Sequence, residues 1–106
     1  MLNNTNLEKK AYVIISMTAN PAQQDALLEY KNVAKKVRDE NGARVLLKKD
    51  VHKDVIGNFN GESIRILEFP SENNIHNWLN DPRYIKVKPL RDKAFSYLSL
   101  TILSNT

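Results

Sequence analysis

The chain has 106 residues, of which 42% are hydrophobic and 26% are charged, and its formal net charge at pH 7 is +4. This length supports one hydrophobic core and excludes a multidomain protein, and the composition is typical of soluble globular domains. No segment approaches the roughly 20 apolar residues that a membrane-spanning helix needs, and the polar start of the chain lacks the apolar stretch of an export signal. We expect a cytoplasmic protein with one domain over residues 11–104, preceded by a disordered or frayed tail over residues 1–10.

Cysteine is absent, which excludes disulfides, thiolate nucleophiles and cysteine-ligated metal sites. The two histidines, His52 and His76, lie in no spacing that builds a metal site. We therefore expect neither a metal ion nor a cofactor. The basic residues are spread along the chain, so the net charge permits an anionic partner without requiring one.

The first half of the chain predicts a strand, a long helix and a second strand. AYVIISMT, residues 11–18, is a β-branched and apolar run typical of a buried strand. Asn20 then provides a helix N-cap and Gly42 a C-terminal stop, with apolar residues at every third or fourth position between them. This pattern predicts one helix over residues 21–41, and the second strand follows at 43–49.

The second half predicts a third strand, short helical segments and a fourth strand. The run ESIRILEF, residues 62–69, is followed at once by a proline, which ends a strand. Ser71 can cap one short helix and Asp81 a second. Pro89 kinks or restarts the second helix because proline lacks the N–H that the helix would use. YLSLTIL, residues 97–103, alternates with period two and predicts the last strand.

The predicted order is strand, helix, strand, strand, helix, strand. This is the α+β ferredoxin-like arrangement, in which two helices cover one face of a four-stranded antiparallel sheet. The long connection between the second and third strands leaves room for an extra edge strand within residues 51–56. The fold class is thus predicted, and the open question is what covers the other face of the sheet.

Side chains alternate between the two faces of a strand, so each strand can be divided by parity. In the first strand Val13 and Ile15 form an apolar face that belongs under the helices. In the third strand Leu67 and Phe69 fill the same side, with Arg65 at its margin. In the second strand the same alternation places under the helices Ala43, Val45 and Leu47.

The opposite face of the sheet is mixed in character. It holds too much apolar surface to lie in water and too many polar groups for a dry core. A second sheet packed against it, with a cavity between the two sheets, would account for both properties. The side chains assigned to this mixed face include Tyr12, Ile14, Ser16, Arg44, Leu46, Lys48, Ile64, Ile66, Glu68 and Leu103.

Glu68 is the best candidate for a general acid or base. It is expected in a half-buried, mostly apolar setting near Arg44 or Ser16, where burial raises a carboxyl pKa and a neighbouring arginine lowers it. The alternative is a structural glutamate that is exposed at an edge or paired with an arginine.

The third strand and the segment after it carry a specific pattern. A glutamate precedes Phe-Pro-Ser, a tryptophan stands eight residues after the proline, and an acidic residue, a tyrosine and a distal arginine follow. The residues that carry this pattern are Leu67, Glu68, Phe69, Pro70, Ser71, Trp78, Asp81, Tyr84 and Arg91. It resembles the strand-to-helix signature of the domain-of-unknown-function family 1330, and with Tyr30 in the long helix the resemblance covers about residues 11–103.

The resemblance implies a ferredoxin-like domain that pairs sheet to sheet in a homodimer, the dimeric α+β barrel. That superfamily includes cofactor-free monooxygenases, muconolactone-isomerase-like enzymes and haem-degrading enzymes, whereas the family itself has no settled activity. Two departures, Lys49-Asp50 after the second strand and Arg65 in the third, imply that a ligand pocket near them has changed character. A haem-binding role is not transferred to His76 and Trp78, because residues two apart on a helix point in different directions.

Three functions are compatible with these observations. The first is a homodimer that binds a small aromatic or anionic molecule in a cavity between the sheet and the helices, with cofactor-independent oxygenase or isomerase chemistry as its extension. The second is a non-catalytic homodimeric scaffold or stress-response accessory protein. The third is a nucleic-acid-binding module, which the sequence argues against because the third strand lacks the aromatic pattern of RNA-recognition motifs. The candidate ligand-site residues are Glu68, Tyr84, Arg91, Trp78, Arg44 and Ser16.

Overall fold

The computed structural model describes residues 9–104. Four strands form one antiparallel sheet, and the predicted α+β ferredoxin-like fold is confirmed. Residues 1–8 of the predicted tail lie outside the described residues. No helix within 9–104 is long and apolar enough to cross a membrane. The elements are β1 (Ala11–Ala19), α1 (Gln24–Glu40), β2 (Arg44–Asp50), β3 (Ser63–Phe69), α2 (Glu72–Asn80), α3 (Pro82–Lys86), α4 (Lys88–Ala94) and β4 (Phe95–Leu103). The strands lie in the sheet in the order β2-β3-β1-β4.

The helix boundaries follow the capping residues read from the sequence. The Asn20 side chain accepts a hydrogen bond from the Ala22 amide, and a single 3-10 turn then leads into α1. Gly42 has a φ of +81° and ends that helix, because glycine adopts this conformation without steric cost. The side chains of Ser71 and Asp81 cap α2 and α3. Side-chain to backbone hydrogen bonds therefore mark the starts of the 3-10 turn, α2 and α3, whereas α4 begins after Val87 without one.

A β-bulge in β2 changes which residues face the helices. Val45 pairs with Leu67, but Leu47 pairs with Ile66, so one extra residue lies in β2 between the two pairs. Each residue beyond the bulge is displaced by one position and points to the other face. The predicted faces of Leu47 and Lys48 were therefore wrong: Leu47 lies on the face away from the helices, and Lys48 lies on the helix side.

The core lies between the helices and one face of the sheet. Trp78 stacks on Phe69 with ring centroids 5.6 Å apart and an interplanar angle of 27°, and its indole N–H donates to the Ala34 carbonyl at 3.1 Å. This hydrogen bond joins α2 to α1, and it satisfies the one polar atom of a buried tryptophan. The largest fully buried side chains are Tyr84, Phe69, Leu67, Ile75, Val13 and Val37.

No helix covers the other face of the sheet within the described residues, and the Cα atoms span only 15 Å along the shortest axis. This surface, called here the open face, has an apolar row at its centre, where Leu47, Ile66 and Ile14 lie side by side. A two-layer protein with an apolar row on its outer sheet face exposes the type of surface that partner proteins cover.

The connection over residues 51–62 contains no strand, so the expectation of an edge strand within 51–56 was wrong. It is instead held to β1 by the Ser16 hydroxyl, which donates to the Asn60 carbonyl, and by the Glu62 amide, which donates to the Met17 carbonyl at 2.8 Å. Val55 and Ile56 at its tip are 88% and 94% exposed. The loop is thus fixed at its base, while its apolar tip lies in solvent in the single protomer.

The close approach of this loop to β1 predicts unequal costs for two glycine substitutions. Gly61 has a φ of +103°, and an added Cβ would collide with the Ser16 hydroxyl, whereas Gly57 has a φ of +79° with no atom within 4 Å of an added Cβ. We expect Gly57→Ala to lower the free energy of unfolding by about 1 kcal/mol, from backbone strain alone, and Gly61→Ala by about 2–4 kcal/mol. Chemical denaturation of both variants measures the difference, and equal costs would show that Gly61 does not contact β1 closely.

Candidate functional site

A cavity of about 280 Å³ lies between α1 and the helix-facing side of the sheet. This volume is close to the lower end of the range usual for small-molecule sites. Its inner walls are almost entirely apolar and come from β1, α1, β2, α2 and β4. The residues that form these walls are Ile15, Met17, Tyr30, Ala34, Val45, Trp78, Phe95, Leu98 and Leu100.

Every ionisable side chain that lines this cavity, apart from the phenol of Tyr30, is a cation. The five are Lys31, Lys35, Arg38, Lys48 and Arg65. We call this group the cationic rim. No carboxylate or histidine is among the described lining residues, so the site has the chemistry of an anion receptor with an apolar floor.

Part of the cationic rim is already neutralised. Asp39 accepts from the Lys35 ammonium at 3.1 Å and from Arg38 Nε at 3.3 Å. Burial alone would raise the pKa of Asp39, but the hydrogen bonds and charges of Lys35 and Arg38 outweigh burial and hold this pKa below its ordinary value. Asp39 is therefore an ionised counter-charge for these two cations.

The remaining three cations have no such partner. Among residues 9–104, no carboxylate lies within ion-pair distance of Lys31, Lys48 or Arg65. Lys48 and Arg65 are also directly paired across β2 and β3, and like charges opposite one another destabilise a sheet. An anion bound between these side chains and Lys31 would replace repulsion with attraction.

A pair of buried phenols lies beside the cavity. The Tyr30 and Tyr84 hydroxyl oxygens are 2.9 Å apart, and Arg91 donates to the Tyr84 hydroxyl at 3.3 Å. Burial is the main cause, and the nearby Tyr84 the second, of a pKa for Tyr30 that lies well above its ordinary value. The Tyr30 phenol therefore stays protonated. Tyr30 is therefore a hydrogen-bond donor at neutral pH and not a base.

The helix that carries Tyr84 and Arg91 is interrupted between them. Val87 separates α3 from α4. One continuous helix would place Tyr84, Lys88 and Arg91 on a shared face, but this interruption means that no such continuous face exists. Arg91 nevertheless reaches Tyr84, and its guanidinium lies 6.0 Å from the ring centroid. The guanidinium therefore contacts both the hydroxyl and the ring of one tyrosine.

Glu68 belongs to a separate polar cluster on the open face. Tyr12 donates to its Oε2 at 3.1 Å, Arg44 Nε donates to its Oε1 at 3.2 Å, and the Lys10 ammonium is 3.5 Å from Oε1. Burial alone would raise the pKa of Glu68, but the Tyr12 hydrogen bond and the charges of Lys10 and Arg44 outweigh burial and lower this pKa. Glu68 is thus an ionised, hydrogen-bonded carboxylate at neutral pH.

The structure divides the predicted site residues between the two faces of the sheet. Glu68 and Arg44 lie together on the open face, and Ser16 lies on the same face, where it holds the loop over residues 51–62. Trp78, Tyr84 and Arg91 lie together on the helix side. Glu68 therefore does not share a cavity with Tyr84 and Arg91. Among residues 9–104 no group of three or more histidines, aspartates and glutamates is placed to hold a metal ion.

Sequence reasoning missed most of the cavity residues. Lys31, Lys35 and Arg38 recur at intervals of four and three along α1, which places them on one side of a helix, and this spacing is a signal that could have identified the rim. Lys48 could not be found in the same way, because the bulge that turns it toward the helices leaves no clear mark in the strand's sequence.

The four-stranded antiparallel sheet, the helices on one face and the order of elements define a ferredoxin-like α+β domain. The chain belongs to the DUF1330 family, a domain of unknown function, whose match covers residues 10–106. No protein with a curated description matches the sequence.

Solved structures support the same fold. The RPA0582 protein of unknown function from Rhodopseudomonas palustris is similar at 18% identity and a TM-score of 0.78, with 97% of this chain and 88% of that chain covered. A dabb family protein with a ferredoxin-like fold from Mesorhizobium loti matches at 9% identity and a TM-score of 0.60, covering 92% and 97%. A dimeric protein of unknown function from Bacteroides fragilis, also ferredoxin-like, matches at 5% identity and a TM-score of 0.57, covering 93% and 99%. At these identities the similarity establishes the fold alone.

The environment of Glu68 predicts a specific acid sensitivity. Because its pKa is lowered on folding from an ordinary value of 4.5, its contribution to stability is complete above that value and is lost as the pH falls through the folded pKa. We expect Glu68→Gln to be less stable than the unmodified protein at pH 7 and to lose less stability on acidification from pH 6 to pH 3. Urea denaturation across this range measures the effect, with Glu29→Gln at an exposed position on α1 as the control. Parallel acid profiles of the Glu68→Gln variant and the unmodified protein would contradict it.

Proposed function

We propose that the protein is a homodimer in which each protomer binds a small organic anion in the cavity beneath α1. The observation that carries the ligand assignment is the cross-strand pair of Lys48 and Arg65, two like charges held side by side over an apolar floor without a carboxylate partner. Such an arrangement costs stability in the empty protein, and a bound carboxylate offsets this cost through charge-assisted hydrogen bonds.

The apolar floor restricts the body of the ligand. Aliphatic and aromatic side chains surround the interior, and the cations lie on α1, on the edge strand β2 and on the neighbouring strand β3. A ligand with one anionic end and a compact apolar or aromatic body matches this division. A highly charged molecule such as a nucleotide would leave most of its polar groups unpaired inside the cavity, at a cost for each.

The geometry supports binding more directly than proton transfer. The phenol of Tyr30 is protonated, and Glu68 lies on the opposite face of the sheet with three donors of its own. A general base for cofactor-independent isomerase or oxygenase chemistry would have to come from the ligand itself. The binding function is therefore the proposal, and catalysis would extend it.

The dimer is proposed from the open face. Its central row of Leu47, Ile66 and Ile14 is apolar and lies outside the core, and Val55 and Ile56 in the loop between β2 and β3 are also exposed. A second copy packed sheet to sheet would bury this row, and a related fold from Bacteroides fragilis is described as dimeric. Two sheets pack about 10 Å apart when their inner faces interdigitate, which suits side chains of this size.

A matched pair of substitutions tests the dimer. Ile66→Lys places a charge in the centre of the open face and is expected to give a monomer, because two like charges would meet in a desolvated interface. Leu28→Lys makes the same type of change on α1, at a residue that is 62% exposed, and should leave the dimer intact. Light scattering at micromolar concentration gives the mass of each. A monomeric unmodified protein, or dissociation by both variants, would contradict the proposed interface.

Calorimetry with paired probes tests the anion site. We expect 4-isopropylbenzoate to bind and the uncharged 4-isopropylbenzamide to bind at least about tenfold more weakly, because only the former makes charge-assisted hydrogen bonds. Arg65→Met should weaken benzoate binding by a similar factor and leave the unliganded protein as stable as before or more stable, since it removes the repulsion with Lys48.

Lys36→Met is the matched control for the anion site, because Lys36 is an exposed residue of α1 that does not line the cavity. It should leave benzoate affinity within about twofold, as expected for a screened surface charge. Equal binding of benzoate and benzamide would contradict the anion site. A dimer that binds neither probe would favour the non-catalytic scaffold.

A further inference from the structure

Three polar groups form a chain that ends at the wall of the cavity. Arg91 donates to the Tyr84 hydroxyl at 3.3 Å, and the Tyr84 and Tyr30 hydroxyls are 2.9 Å apart. Tyr84 is 1% exposed and Tyr30 is 7% exposed. Of the three residues, Tyr30 alone is among those that line the cavity. This hydrogen-bond chain therefore runs from the Arg91 cation, through the fully buried Tyr84 phenol, to the Tyr30 phenol at the cavity wall.

The direction of these hydrogen bonds can be worked out from their chemistry. A guanidinium has donors and no acceptor, so the Tyr84 oxygen accepts from Arg91, and the Tyr84 proton must find another oxygen. The only acceptor that the described residues offer it is the Tyr30 hydroxyl. A buried hydroxyl left without an acceptor is costly, which favours donation from Tyr84 to Tyr30. The Tyr30 proton is then free to point away from Tyr84.

We propose that Tyr30 donates a hydrogen bond into the cavity, and that the ligand is an organic carboxylate with a second, neutral oxygen acceptor at its inner end. A keto acid or an acyl-substituted aromatic acid has this chemistry. The carboxylate meets Lys31, Lys48 and Arg65, while the carbonyl oxygen accepts from Tyr30. This inference rests on the proposed anion site and adds to it the ligand class and a residue that determines specificity.

Arg91, at the far end of the hydrogen-bond chain, strengthens Tyr30 as a hydrogen-bond donor. Hydrogen bonds in a chain polarise one another, and a charged first donor increases the effect. The hydrogen bond with Tyr84 raises the pKa of Arg91, in opposition to the lowering caused by burial, so its guanidinium remains charged. A site that presents a fixed donor discriminates against an analogue without an acceptor, because the donor is then left unpaired.

Two tyrosine-to-phenylalanine substitutions, each of which removes one hydroxyl group, test the hydrogen-bond direction without any ligand. Tyr30→Phe takes away the acceptor for the buried Tyr84 proton, whereas Tyr84→Phe leaves Tyr30 facing the cavity and Arg91 still paired with Asp92. We expect the unfolding equilibrium constant to rise at least about fivefold more in Tyr30→Phe than in Tyr84→Phe. Urea denaturation measures both. An equal effect, or a larger one for Tyr84→Phe, would overturn the direction and with it the proposal.

Two probes of nearly equal shape test the ligand class. 4-Acetylbenzoate carries a carbonyl oxygen where 4-isopropylbenzoate carries a methyl group, and both keep the carboxylate. We expect calorimetry to show a preference of at least about tenfold for the acetyl compound, and Tyr30→Phe to abolish this preference while it still binds both. Equal binding of the two probes by the unmodified protein, or a preference that survives in Tyr30→Phe, would overturn the role of Tyr30 and leave the anion site standing. Binding of neither probe would overturn the anion site and the ligand class together.

Discussion

The register between β2 and β3 determines which side chains face the cavity and which face the open side of the sheet. Because strand side chains alternate, one additional residue transfers everything beyond it to the other face. The bulge after Val45 therefore removes Leu47 from the core side and brings Lys48 next to Arg65. Without it the edge of the sheet would present an aliphatic side chain to the cavity, and the cationic rim would lose one member of its like-charged pair.

The two faces of the sheet are chemically different, and this difference separates two functions within a small protein. The helix side holds a dry aromatic core and, beside it, a cavity bordered by cations. The open side holds an apolar row next to an ion-paired cluster around Glu68. In this arrangement the surface proposed for self-association and the cavity proposed for the ligand share a sheet but no side chains. A substitution on one face therefore leaves the side chains of the other proposed site unchanged.

Local signals made the fold predictable. The caps at Asn20, Ser71 and Asp81 each act over a few residues, so the sequence shows where the helices begin. The parity of β1 and β3 was also assigned as found, since their pairing with each other is uninterrupted. Glu68 was expected near an arginine and lies beside one, although Tyr12 and Lys10 were not foreseen as its partners.

The candidate site was less predictable, because it depends on contacts between distant segments. The bulge in β2 is a property of two strands together, and neither strand shows it alone. The hydrogen-bond chain from Arg91 through Tyr84 to Tyr30 joins residues 54 positions apart in one of its steps, and in the other step the interruption at Val87 breaks the helical spacing between Tyr84 and Arg91. Residue types were therefore recognised as important before the structure showed which of them meet.

Trp78 is the only tryptophan of the chain, and it has one side in the core and another in the cavity wall. Its ring is fixed by stacking on Phe69 and by the hydrogen bond to the Ala34 carbonyl. The protein therefore carries a single indole fluorophore in a defined environment, without background from other indoles. Emission from this side chain responds to the polarity of the cavity while the fold is intact and to full solvation when the fold is lost. The same side chain can thus report on the proposed occupancy of the cavity and on unfolding, both in the unlabelled protein.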